Sequence, residues 1–395
     1  MSNRDTTADV AVIGLGAMGS ACLYQLAKRG MRAIGIDRFH PPHVFGSSHG
    51  ETRITRQAIG EGDAYVPLVL RSHAIWDELE AETGSRLIER CGFVAMASDD
   101  DAMVHHGKTG FVAATIASAR RHGIVHEVLT ADEVRYRFPQ FAGLTGAERC
   151  YFEPGGGFVR PERCIAVQLQ LAARAGARLM TNTVVLGLEA VGGGVRITTT
   201  AGTIIAGQAV IAAGAWIKPF LPPDADRHVT IYRQVLHWLP ITQPACFRAD
   251  APVFIWNHGP EPADQIYGFP PLDGAAEIKC AGESYDRPID PDAERLPVSA
   301  AEADAFVRRH VAPRFAGLAS EVSRSAACLY TVTDDGDFLI DTLSDDSPVT
   351  LVSACSGHGF KHSAAIGEAV AIQLATGAEP AVLTPFKSHR FQQSR

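Results

Sequence analysis

The chain has 395 residues, 46% hydrophobic and 20% charged, the balance of a soluble globular protein large enough for two domains. A formal net charge of -8 argues against a nucleic-acid partner, which requires a basic field. No apolar run reaches bilayer length, the polar start MSNRDTTAD lacks a signal-peptide core, and the 8 cysteines form no CxxC pair or metal-ligand spacing; a cytoplasmic protein without membrane contact or structural metal is expected.

In chain order, Asp9-Val-Ala-Val-Ile-Gly14 is an apolar run ending in glycine, as in a buried parallel strand. From Ala17 to Arg29 the pattern turns helical, with Met18, Cys22 and Leu26 four apart and Gly30 as the stop, and Ala33 to Asp37 is the next strand. Between the first strand and its helix, Gly14-Leu-Gly16-Ala17-Met18-Gly19 has GxGxxG spacing. Its first glycine permits a tight turn, the second admits a pyrophosphate, and the third brings helix onto strand. The phosphates would meet the helix N-terminus, where free N–H groups and the dipole favour negative charge. Alone the spacing is weak; its place in a βαβ unit, with Asp37 poised for the ribose hydroxyls of an adenosine, makes it a dinucleotide signature. Arg38 beside it leaves a 2′-phosphate, hence NADP, open. These residues do not separate a flavin from a nicotinamide cofactor.

Gly46-Ser47-Ser48-His49-Gly50 has the GxSxG spacing of a hydrolase nucleophile elbow, which needs a strand running into the serine. The paired prolines Pro41-Pro42 upstream do not enter a central strand, so a serine hydrolase is the disfavoured rival. Arg53 and Arg56 share a face if helical and point to opposite sides if extended. They suit a substrate carboxylate, and equally a solvated charge cluster. A helix is predicted from Tyr65 to Thr83, with Leu68, Ser72, Ile75 and Leu79 on one face, Asp63 as its cap and Gly84 as its end. Another, Pro161 to Ala175, opens with proline and closes at Gly176. Short β-rich segments follow around Val184–Glu189, Val195–Thr200 and Thr203–Ile205, then the apolar strand Ala209 to Gly214.

The proline-rich stretch from Ile217 to about Val298 reads as an antiparallel sheet carrying loops. Within it, Lys279 and Glu283 fall on one face if Gly282 does not break the strand, and a surface ion pair is the commoner reading. Cys328, by spacing, is a buried structural cysteine. The chain ends with a strand Val349–Val352, the loop Ser356-Gly357-His-Gly359-Phe-Lys361 and a helix near Ala364–Ala375. The expected fold is α/β: a Rossmann-like dinucleotide domain assembled from residues 1–90, 151–220 and 325–395, with an inserted, mainly antiparallel β substrate domain from 91–150 and 221–324.

Several blocks together resemble the monomeric sarcosine oxidase and N-methyltryptophan oxidase family, over essentially the whole chain. They are Asp9–Gly19, Gly46–Arg56, Gly60-Glu-Gly62 with Tyr65-Val-Pro67, Tyr232-Arg-Gln-Val235, Tyr267-Gly-Phe-Pro270, Cys328-Leu-Tyr-Thr331, Phe338-Leu-Ile-Asp341 and Ser356–Lys361. The resemblance implies FAD, tethered by a thioether from Cys328 to the flavin 8α carbon, in a monomer. It implies oxidation of the C–N bond of a secondary, N-methyl amino acid to an imine, with O2 reduced to hydrogen peroxide. A flavin dehydrogenase using another acceptor, an oxidase of a cyclic imino acid and a non-catalytic flavin protein are the alternatives.

By the same resemblance Arg56 and Lys361 hold the substrate carboxylate, Tyr267 lines the substrate cavity, His49 and Arg53 line the flavin, and Lys279 promotes its reaction with oxygen. The FAD contacts it implies are Gly14, Gly16, Ala17, Met18, Gly19, Asp37, Arg38, Ser47, Arg53, Val185, Gly214, Trp216, Gly357, Gly359 and Lys361. Elementary physics agrees. Two fixed cations position the amine and supply binding energy remote from the reacting bond. A buried cation at Lys279 stabilises negative charge as oxygen is reduced, and the loop Gly357–Gly359 aims N–H groups at the negative end of a reduced flavin. One residue departs from the family: four places after the lysine, Glu283 stands where an active-site histidine is usual. A carboxylate cannot donate a hydrogen bond unless protonated. Glu283 is expected to pair with Lys279 or with a cationic group of a different substrate, making sarcosine itself a poor one.

Overall fold

The structure is a computed structural model describing residues 6–98, 101–104, 108–293, 297–344 and 347–392; residues 294–296 of the expected antiparallel stretch lie outside it. The apolar run near the N-terminus is the strand Thr6–Ile13, whose Val10, Ala11 and Val12 are completely buried. It lies parallel to Ala33–Ile36 on one side and to Gly202–Ile211 on the other. Arg178–Met180 extends the sheet in parallel beyond Ala33–Ile36. Gly202–Ile211 carries Gly194–Thr199 antiparallel along its first half and Val349–Ser353 parallel along its second. Val185–Val191 and Leu339–Thr342 complete the eight strands.

Two segments expected as separate, Thr203–Ile205 and the run from Ala209, are one ten-residue strand. Gly207 between them is no break. A Cβ there would sit 3.0 Å from the Asp9 carbonyl oxygen, so the residue permits close pairing with the first strand. The helix Ala17–Lys28 packs on this sheet, and Pro161–Arg174 and Ser363–Thr376 pack on that helix. Gly367 brings the last helix to within 2.6 Å, measured from an added Cβ, of the Ala21 backbone.

The second sheet also has eight strands: in order Arg324–Thr333, Val229–Pro240, Glu277–Ala281, Gln265–Phe269, Val253–Asn257, Phe93–Ser98, Glu148–Glu153 and Glu127–Thr130. Among the described residues its pairings are antiparallel except Val253–Asn257 against Phe93–Ser98. The expected mixture of a partly parallel, helix-covered sheet and a mainly antiparallel one is therefore present. A three-stranded sheet, Arg53–Thr55, Gly157–Val159 and Ile88–Glu89, makes up the rest.

Two local expectations change, and the disfavoured hydrolase reading finds no support. Asp63 does not cap the helix Val66–Thr83; it begins a short 3-10 turn, and its carboxylate pairs with Arg121 and His122. The Arg121 guanidinium and the His122 ring outbid the backbone N–H groups for the same carboxylate. The strand bearing Lys279 ends at Ala281, so Gly282 does separate it from Glu283. Ser48 lies in a loop with no strand leading into it, so the elbow geometry of a hydrolase is missing. Among the described residues no helix is long and apolar enough to cross a membrane.

Candidate active site

A cavity of about 620 Å³ opens along the carboxyl ends of the parallel strands, where Ile13, Ile36, Ile211 and Val352 all reach its wall. Gly14, Gly16, Ala17 and Met18 line it from the first turn, and Asp37 and Arg38 from the end of the second strand. Ser47, Arg53, Val185, Gly214 and Trp216 form further wall, with Gly357 and Gly359 from the loop before the last helix.

The three glycines of the first turn divide the work as their spacing implies. Gly14 has φ +86, and a Cβ on it would collide with the Ala212 carbonyl. A Cβ on Gly19 would overlap the Gly14 carbonyl, so helix and turn touch there. Gly16, the helix N-cap, leaves open space: a Cβ would meet only the Ser48 hydroxyl, at 3.9 Å. No side chain caps this N-terminus, so its N–H groups face the cavity wall unclaimed by a capping oxygen.

Asp37 is buried and ties the turn to the second strand, its Oδ2 accepting from the Leu15 N–H and its Oδ1 from the Phe39 N–H, both at 2.8 Å. Arg38 pairs with Asp292 at 2.8 Å and stacks over Trp216, whose indole N–H donates to the same carboxylate. The Arg38 charge is thus committed, which weakens the reading of a 2′-phosphate.

At the other end, Arg53 and Arg56 follow an extended course, and they part company. Arg53 donates to the Ser47 and Thr52 carbonyls at 2.7 and 2.8 Å. Lys279 is not a surface ion-pair residue. It is 4% exposed, donates to the Gly50 and Thr52 carbonyls at 2.6 and 2.7 Å, and sits 4.1 Å from the centre of the Phe269 ring. Burial, with the nearby Arg53 charge, pushes its ammonium pKa well below the ordinary lysine range. His49 is buried in the same loop.

Cys328 is completely buried on the strand Arg324–Thr333, opposite Gln234. Tyr330, two residues on and on the same face of the strand, reaches the cavity wall, as does Cys355.

Arg56, 1% exposed, already holds a carboxylate. It grips both oxygens of Glu61 at 2.7 and 2.5 Å and donates to the Ala58 carbonyl. Lys361, in the turn Phe360–His362, donates to the His358 carbonyl at 2.7 Å. Burial, seconded by Arg56, pushes Lys361 down to about 7, against the opposing pull of Glu61 and Glu283. Burial would raise Glu61, but Arg56, Lys361 and His358 hold it well below the usual carboxylate range. The Tyr267 hydroxyl lies 3.3 Å from that of Tyr330. Glu283 does not show the expected bond to Lys279; its Oε2 accepts from the Tyr285 hydroxyl at 2.6 Å.

The resemblance in sequence placed Arg56 and Lys361 at the site but not Glu61 between them, nor Tyr285 on Glu283. A charged residue set between Gly60 and Gly62, after the apolar pair Ala58-Ile59, was the available signal for the first.

A family model described as FAD dependent oxidoreductase matches residues 9–372. Monomeric sarcosine oxidase of Bacillus sp. (strain B-0618) is 34% identical over 374 residues, covering 93% of this chain and 92% of the relative. N-methyl-L-tryptophan oxidase of Yersinia pestis (strain Pestoides F) is 34% identical over 390 residues, covering 97% and 99%. Among solved structures, NikD, an unusual amino acid oxidase essential for nikkomycin biosynthesis, shares the fold with a TM-score of 0.82 at 23% identity, covering 97% of each chain.

Proposed function

Because the chain belongs to the FAD dependent oxidoreductase family, we propose that it oxidises the C–N bond of a secondary, N-methyl amino acid, with O2 as the electron acceptor. The observation that carries this reading is the buried pair Arg56 and Lys361, already disposed about one carboxylate, that of Glu61. A substrate carboxylate that displaces or joins Glu61 meets two cations in a place with little water, where each counts for more than at a surface. The relatives named for sarcosine and N-methyltryptophan support an N-methyl amine as the other end.

The cavity fits FAD. Its glycine turn presents an uncapped helix N-terminus for a pyrophosphate, and Asp37 faces the wall for a ribose. When bound, FAD would supply the redox chemistry, taking two electrons from the C–N bond and passing them to oxygen. The chain's residues do the rest. Arg56 and Lys361 orient the amino acid, the Tyr267 and Tyr330 rings exclude water, and Lys279 keeps a positive charge where oxygen is reduced. Since burial and the Arg53 charge depress the Lys279 pKa, that charge is lost at lower pH than an ordinary lysine's. Gly19→Val is expected to yield a colourless protein, because the added side chain must displace the Gly14 carbonyl from the turn; retained yellow colour would refute this assignment.

We assign the tether to Cys328, with Cys355 as the second reading because it reaches the cavity wall. After acid precipitation the unaltered protein is expected to give a yellow pellet, Cys328→Ala a colourless one and Cys355→Ala a yellow one. A colourless pellet from Cys355→Ala alone would move the tether.

A pH titration tests the clamp. Lys361, with a pKa near 7, is cationic below that and neutral above, and a bound anion favours its charged form. A simple non-oxidisable carboxylate such as (methylthio)acetate should therefore bind with proton uptake above pH 7. Its Kd should be flat from pH 5 to about 7, then rise about tenfold per unit; in Lys361→Met the rise should vanish. The reaction itself is tested by peroxide formation from N-methyl amino acids under air: none, with bleaching intact in its absence, would indicate another acceptor.

A further inference from the structure

Glu283 has no task in the reaction just described, yet its surroundings are built. Gly357 and Tyr330 line the cavity. A Cβ placed on Gly357 would lie 3.2 Å from Tyr330 Cε2, 3.3 Å from Glu283 Oε1 and 3.4 Å from the Tyr285 hydroxyl, so three side chains converge on one point beside the cavity wall. Tyr285 donates to the other carboxylate oxygen at 2.6 Å. The Tyr267 hydroxyl stands 3.3 Å from that of Tyr330, and Tyr232 packs edge-on against Tyr285 with ring centres 5.4 Å apart. A carboxylate among phenol rings selects for cations: the rings present negative faces, and the charge stands partly withdrawn from water.

Charge balance points the same way. Lys361 feels Glu61, Arg56 and Glu283, two carboxylates and a second cation, so with Lys361 protonated the formal charges of the four groups cancel. A substrate carboxylate adds one negative charge. The reacting amine cannot offset it at the moment of oxidation, because a protonated amine has no electron pair to release. A cation elsewhere on the substrate can. Glu283 as a mere counter-ion of Lys361 explains less, since Glu61 acts on Lys361 more strongly and also grips Arg56.

We propose that Glu283, Tyr285, Tyr330 and Tyr267 form a cation subsite, and that the preferred substrate is a secondary amino acid carrying a second cationic group, ammonium or guanidinium, on its side chain. This rests on reading the cavity as a site of secondary amino acid oxidation.

Two non-oxidisable acids of the same shape test it: 4-(trimethylammonio)butyrate and its uncharged analogue 5,5-dimethylhexanoate. Each is titrated into the FAD-loaded protein by calorimetry. The cationic acid is expected to bind about tenfold or more tighter. Glu283→Gln, close to isosteric, should equalise the two, and Tyr285→Phe, which keeps ring and charge, should retain most of the preference. Equal affinities in the unaltered protein, or a preference that survives Glu283→Gln, would overturn the proposal. If the two acids bind alike while N-methyl amino acids with neutral side chains still bleach the flavin, only the subsite is wrong. If no secondary amino acid of either charge bleaches it, the reaction assigned to the site is wrong and the subsite falls with it.

Discussion

Lys279→Met should divide turnover into a half that survives and a half that does not. Anaerobic bleaching by an N-methyl amino acid should stay within about tenfold of the unaltered rate, while recovery of the yellow colour on admitting air slows about 10²- to 10³-fold, the range for losing one preorganised electrostatic group. The physical basis is the burial of an ammonium held by the Gly50 and Thr52 carbonyls, a fixed charge needing no reorganisation as negative charge develops on oxygen. Met has similar length and no charge, so packing against Phe269 is retained. Stopped-flow absorbance measures both halves. Equal slowing of the two would mean that Lys279 supports the loop rather than the oxygen step.

The second large effect is expected at Arg56. Arg56→Gln should lower kcat/KM for amino acids by about 10²- to 10³-fold, and also destabilise the fold by up to about 3 kcal/mol, because Glu61, 15% exposed, is left without its main partner. Arg56→Gln combined with Glu61→Gln removes both charges and should restore much of that stability without restoring activity. Thermal melting and steady-state kinetics on the pair of variants separate the two roles. If the double variant regains activity, Arg56 serves Glu61 and not the substrate.

These two residues also mark how far the sequence could be read. The glycine turn and Asp37 were legible because each answers a local demand: a positive φ at Gly14, helix against turn at Gly19, a carboxylate at a strand end. The alternation of strand and helix was legible for the same reason. Arg56 was not, on spacing alone. A charged side chain reads as solvated unless something shows its burial, and here that something is the Glu61 carboxylate it grips together with Phe93 and Phe111, whose rings flank the guanidinium. Lys279 misled similarly: a lysine four places from a glutamate suggests an ion pair, whereas Gly282 ends the strand and backbone carbonyls take the ammonium. Asp63 had a good capping position, and Arg121 and His122, some sixty residues away in sequence, claimed it. Local propensity fails wherever a distant charge or a burial depth decides the outcome.

Oxidation of a secondary amino acid at the Arg56–Lys361 clamp is tested by anaerobic mixing of the yellow protein with N-methyl amino acids and with the matching N-methyl amines that lack a carboxylate. Bleaching by the amino acids is expected, slowed by at least about 10² when the carboxylate is removed. Bleaching by both at equal rates, or by neither, would contradict it.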